Sequence, residues 1–125
     1  MTRILLVDDS AEVRRSMRAM LAELLESVTF GDAPDAAAAL DALTREAWDL
    51  VLLDLSLPDR SGFETLRHIR RLRPGVPVLV MSFNVQAEYA AATRAAGAVG
   101  YIAKGSSSDA IASAVRSALA TPLQK

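Results

Sequence analysis

Short, continuously apolar runs alternate along the chain with longer stretches in which apolar residues recur every three or four positions. The runs have the length and evenness of strands buried on both faces, and the intervening periodicity is that of amphipathic helices. Ile4-Leu5-Leu6-Val7 is the first run, closed by Asp8-Asp9-Ser10, a strand end followed by a helix cap. Val13, Met17, Leu21, Leu24 and Leu25 then mark one helical face, with Arg14, Arg15, Arg18 and Glu23 between them. A weaker strand is predicted over 28–31. Pro34, in the tolerated first turn, opens an Ala-rich helix with Ala36, Leu40, Leu43 and Ala47 on one side. The third strand, Leu50-Val51-Leu52-Leu53, ends in Asp54, and Pro58 and Gly62 punctuate the loop after it. Phe63, Leu66, Ile69 and Leu72 give the third helical stripe, and residues 76–81 a fourth strand ending at Ser82. A fourth helix over 85–96, packing thinly through alanines, stops at Gly97. Residues 99–103 form the fifth strand, closed by Lys104. Ser106 with Asp109 predicts a capping box for a last helix carrying Ile111, Val115 and Leu119.

Five strand-then-helix units with continuously apolar strands specify a doubly wound α/β domain, a five-stranded parallel sheet with helices on both faces. Residues 1–120 form that single domain, and 121–125 read as a tail or the start of a linker. In such sheets ligands bind beyond the carboxyl ends of the strands, where the strand order reverses. Here those ends carry Asp8 and Asp9, Asp54, Ser82 and Lys104: three carboxylates, a hydroxyl and an ammonium.

Composition narrows the chemistry. No Cys among 125 residues removes disulfides, thiolate metal sites and thiol nucleophiles. Fourteen basic against fifteen acidic residues leave no electrostatic footprint for nucleic acid. No apolar run approaches the roughly 18 to 20 residues that cross a bilayer, and no secretory signal opens the chain, so a soluble cytoplasmic protein is expected. The single His68 excludes a multi-His metal site; it is expected on the exposed side of its helix, with Arg67, Arg70, Arg71 and Arg73 forming a solvated face.

Three converging carboxylates repel one another unless a cation or raised pKa values relieve them, and an all-oxygen donor set suits Mg²⁺. Only two basic residues are Lys, at 104 and 125, so an ammonium at a strand end is a pointed choice in an Arg-rich chain. Opposite a metal-bound carboxylate it is placed to meet phosphoryl oxygens. Taken singly, each Asp is also an ordinary cap or loop acid, Ser82 a turn residue and Tyr101 a packing residue.

Together the segments Leu5-Leu6-Val7-Asp8-Asp9, Leu52-Leu53-Asp54-Leu55-Ser56-Leu57-Pro58 with Ser61-Gly62, Ser82, and 96–104 ending Gly100-Tyr101-Ile102-Ala103-Lys104 resemble a response-regulator receiver domain, most nearly of the NarL/FixJ kind. The resemblance spans essentially the whole chain. It implies a (βα)5 flavodoxin-like receiver fold and a phosphoacceptor at Asp54. Mg²⁺ would be held by Asp9, Asp54 and the backbone carbonyl of Ser56, with Asp8 assisting through water. Lys104 would pair with the phosphoryl oxygens, Ser82 would turn to bond them, and Tyr101 would move inward, changing the face made by the fourth helix, fifth strand and fifth helix. The implied donor is a sensor histidine kinase or phosphotransfer protein. A DNA-binding output domain is implied if the natural chain is longer, and homodimerisation through the fourth or fifth helix stays open. Two positions depart from the family: Gly105 follows Lys104, and the bulky Phe83 follows Ser82. Phe83 is expected to crowd Asp54 and slow both phosphoryl entry and hydrolysis.

Other functions fit less well. An aspartyl phosphatase needs a general acid two residues after its nucleophile, where this chain has Ser56. A flavin binder needs a glycine-rich phosphate cradle where this chain has Asp8-Asp9-Ser10. The alternative that remains is a receiver fold used as an interaction module without control by phosphorylation.

Overall fold

The computed structural model describes residues 1–83 and 86–120. The expected tail and the predicted helix start at Val85 lie outside the described residues. Five strands alternate with five helices: β1 (Thr2–Val7), α1 (Ala11–Leu24), β2 (Val28–Ala33), α2 (Ala36–Arg45), β3 (Leu50–Asp54), α3 (Gly62–Leu72), β4 (Val78–Ser82), α4 (Ala87–Ala95), β5 (Gly100–Ala103) and α5 (Ser108–Ala120). All strand pairs are parallel, in the order β2-β1-β3-β4-β5. The order reverses between β1 and β3, which opens a crevice at their carboxyl ends.

Successive side chains of each strand point to opposite faces, so each apolar run feeds two cores. Leu5, Val7, Val51, Leu53, Val78 and Val80 meet α2 and α3, with Tyr89 of α4 packed against them. Ile4, Leu6, Leu50, Leu52, Leu79 and Met81 meet Leu21 of α1 and Ile111 and Val115 of α5. The edge strand β2 is the least buried on its inner length, in keeping with its weak sequence signal. No described helix is long and apolar enough to cross a membrane.

Local chemistry sets the helix ends. Ser10 caps α1, its hydroxyl accepting from the Val13 N–H at 3.2 Å. After α4, Gly97 has φ +109°, its N–H donates to the Arg94 carbonyl at 3.0 Å and the Ala98 N–H to the Thr93 carbonyl at 3.1 Å, a Schellman stop only glycine adopts cheaply.

Several boundaries differ from the sequence expectation. Asp35 rather than Pro34 starts α2: its carboxylate accepts from the Ala38 N–H at 2.8 Å, leaving Pro34 outside the helix. Ala47 also falls outside, since α2 ends at Arg45. The cap of α5 is Ser107, whose hydroxyl accepts from the Ala110 N–H at 3.2 Å, so the Ser106 capping box does not form. β4 begins at Val78 and β5 at Gly100, each later than the apolar run suggests. His68 is half-buried beside Arg60, 3.3 Å from Nδ1, rather than fully exposed. Of the arginines expected on a solvated face, Arg70 folds back onto the Pro74 and Val76 carbonyls and Arg73 onto that of Thr44; Arg67 and Arg71 are exposed.

Candidate functional site

At the crevice two three-residue segments make the same turn. Asp8 Oδ1 accepts from the Ser10 N–H at 2.9 Å, and Asp54 Oδ1 accepts from the Ser56 N–H at 3.0 Å. Each is an Asx-turn, in which a carboxylate leaving a strand bonds the backbone two residues on and is fixed in orientation. The second oxygen of each carboxylate then faces Lys104, whose Nζ lies 2.8 Å from Asp8 Oδ2 and 3.1 Å from Asp54 Oδ2. Asp8 and Asp54 are almost fully buried, while Asp9 faces solvent, and oxygens of all three lie within 4.8 Å of one another.

Lys104 arrives there because its backbone N–H donates to the Ser82 carbonyl at 2.8 Å, extending the β4–β5 ladder to the strand ends. Burial acts to lower the pKa of its ammonium, but the bonds and charges of Asp8 and Asp54 outweigh this and hold it above the ordinary lysine value of 10.5. The site therefore keeps one fixed positive charge between two carboxylates at neutral pH. Three carboxylates remain in excess over one ammonium, and a compact all-oxygen cluster open to solvent on the Asp9 side fits a hard divalent cation such as Mg²⁺.

Asp8, Asp9, Asp54 and Lys104 thus meet at one point. Ser82 ends the adjacent strand β4 and is buried; Ser56 follows Asp54 on the exposed loop. Tyr101 lies three residues before Lys104 on β5 and packs toward α4, its ring 6.2 Å from that of Tyr89. Phe83 is 76% exposed, and its ring centroid lies 5.1 Å from Lys104 Nζ, so its bulk borders the ammonium on the solvent side of the site.

Sequence patterning gave no part in the site to four residues, Phe63 among them being read only as a member of an apolar stripe. Arg14 lies beneath the site: one guanidinium nitrogen donates to the Asp8 carbonyl, and Nε is buried 3.7 Å from Asp32, which Arg18 also pairs. Its only sequence signal is an arginine one step off the apolar stripe of α1. Phe63 and Tyr89, with ring centroids 5.3 Å apart, continue the aromatic contact of Tyr101 across to α3. Asp59, in the loop after β3, accepts from the backbone of α2.

A doubly wound five-stranded sheet with an Asp pair, a third Asp and a Lys at neighbouring strand ends is the architecture of a receiver. The family model described as the response regulator receiver domain matches residues 4–116, and the chain belongs to that family. Response regulator UvrY of Escherichia coli strain K12, a regulator of the NarL/FixJ kind, is 32% identical over 117 residues, covering 94% of this chain and 54% of UvrY. The chain spans about half the length of the curated relatives it matches. A two-component response regulator of the LuxR family from Aurantimonas sp. SI85-9A1 superposes with a TM-score of 0.87 at 32% identity, covering 96% of this chain and 86% of that one. A CheY-like receiver from Methanospirillum hungatei JF-1 gives 0.86 at 29% identity, covering 95% and 94%. The chain is a receiver domain of two-component signalling, and the interaction-module alternative is not favoured.

Proposed function

We propose that Asp54 is the phosphoacceptor, taking a phosphoryl group from a phosphohistidine of a sensor kinase or phosphotransfer protein. The observation that carries this reading is Lys104 Nζ set 2.8 and 3.1 Å from two buried carboxylates with a third beside them. An Asp54 oxygen attacks phosphorus, the P–N bond of the donor breaks with its electron pair returning to the imidazole, and an acyl phosphate forms. Asp9, Asp54 and the Ser56 carbonyl would hold Mg²⁺, with Asp8 acting through water; the ion supplies positive charge to the phosphoryl oxygens. Lys104, fully charged, shifts from bridging Asp8 and Asp54 to pairing with the new phosphoryl oxygens. Ser82, ending the strand beside it, turns its hydroxyl to the same group, and Tyr101 follows inward. The face of α4, β5 and α5 then carries the change to a partner.

The test is intact mass after incubation with a small-molecule phosphodonor and Mg²⁺. Wild type gains one phosphoryl group; Asp54→Asn and a metal-free sample gain none. Uptake by Asp54→Asn at another residue would end the assignment. Phe83 forms part of the same reading, its ring narrowing the approach beside Lys104. Phe83→Ala is expected to speed both phosphoryl entry and hydrolysis several-fold; unchanged rates would free Phe83 of that role.

A further inference from the structure

The loop between β3 and α3, which carries Ser56, is pinned at both ends by contacts that differ in kind. At its start the Ser56 N–H is bonded to Asp54 at 3.0 Å. At its end Gly62 lies so close to Leu55 that an added Cβ would stand 2.3 Å from the Leu55 carbonyl oxygen, and the Thr65 N–H and hydroxyl both donate to the Ser61 carbonyl at 2.9 Å. Its middle is held from outside. Asp59 reaches across to α2, its two carboxylate oxygens accepting from the Ala36 N–H at 3.0 Å and the Ala37 N–H at 3.1 Å.

We propose that Asp59 is a positioning residue for the metal site, anchoring the loop to the first turn of α2 so that the Ser56 carbonyl is held at the crevice. This rests on the reading of Ser56 as a backbone ligand. The anchor is charge-assisted, because free N–H groups at a helix start favour an anion. The bonds from Ala36 foremost lower the pKa of Asp59 below its ordinary 3.8, so the carboxylate is ionised throughout the neutral range. α2 does not need Asp59 for its own cap, since Asp35 already accepts from the Ala38 N–H. Asp59 therefore adds a tie between helix and loop, and that tie ends three residues from Ser56.

The two acids at one helix end provide the control. Asp59→Ala and Asp35→Ala each remove acceptors from the start of α2, but only the first releases the loop. Mg²⁺ binding to the unphosphorylated protein is measured by calorimetry, with thermal melting of each variant to compare stability. Asp59→Ala is expected to weaken Mg²⁺ binding on the order of tenfold, the usual size for a group that orients a ligand, while Asp35→Ala changes it less than twofold at a similar loss of stability. Asp59→Asn, which keeps one acceptor, should fall between wild type and Asp59→Ala. Equal weakening by Asp59→Ala and Asp35→Ala, or none by Asp59→Ala, overturns the proposal. A wild-type protein that binds no Mg²⁺ at all overturns the metal reading itself, a failure seen before any variant is made.

Discussion

The helices α3 and α4 lie on the same side of the sheet, are of similar length and flank neighbouring strands, yet they are held very differently. α3 buries Gly62, Thr65, Leu66 and Ile69, and its start is locked against Leu55. α4 buries Thr93 alone among its described side chains, and the hydroxyl of that residue is spent on the Ala90 carbonyl at 2.8 Å. Beside it, the half-buried Tyr89 packs between Phe63 of α3 and Tyr101 of β5. A helix held by branched aliphatic side chains in close-packed layers has one low-energy seat. One held by a half-buried aromatic ring and a single buried threonine can shift without opening large cavities. On the proposed reading, this difference suits the α3 side, which carries the loop of Asp54, to stay in place and the α4 side to respond.

The largest effect should come from emptying the α3 seat. Leu66→Ala, at a position with no exposure, is expected to cost about 2–5 kcal/mol by urea unfolding, from lost burial plus a cavity. A smaller effect belongs to α4: Tyr89→Ala removes two ring contacts worth about 0.5–1.5 kcal/mol each on top of its partial burial. If Tyr89→Ala proved as costly as Leu66→Ala, the contrast between the helices would disappear. The same variant sharpens it, since NMR shifts of Tyr101, a ring partner of Tyr89, should change more than those of Leu66 and Ile69, the buried aliphatic side chains of α3. The smallest effect is pH-dependent and lies on the α3 side. Asp59 has a folded pKa below its unfolded value of about 3.8, so its contribution is fully present above that value and fades as pH falls through the lower folded one. The acid limb of stability against pH should be shallower in Asp59→Asn than in wild type, with the two curves parallel at neutral pH.

What could be read from the sequence follows from the range over which each feature is encoded. Apolar runs ending in Asp8, Asp54 and Lys104 are contiguous, so the strands, the sheet class and the gathering of charge at one edge were legible directly. Gly97 was legible as a helix stop because a positive φ favours one residue type. Where several adjacent residues could do the same job, the pattern could not choose: Pro34 and Asp35 both suit a helix start, and Ser106, Ser107 and Ser108 are interchangeable on paper. Geometry decided for Asp35 and Ser107. Asp59 was illegible for another reason, since its partners lie 22 and 23 residues earlier and meet it only once the sheet has formed. Tyr89 is the single aromatic of an alanine-rich helix, and its two ring partners come from α3 and β5, far away in sequence.

The paired Asx-turns have a spectroscopic consequence. The amide protons of Ser10 and Ser56 point at Oδ1 of Asp8 and Asp54, the two carboxylates that Lys104 bridges. Any event that alters the charge or bonding of one of those acids is felt first by the amide two residues further along the chain. The receiver thus carries two native nuclear probes, one for each buried acid, with resonances that separate what happens at Asp8 from what happens at Asp54.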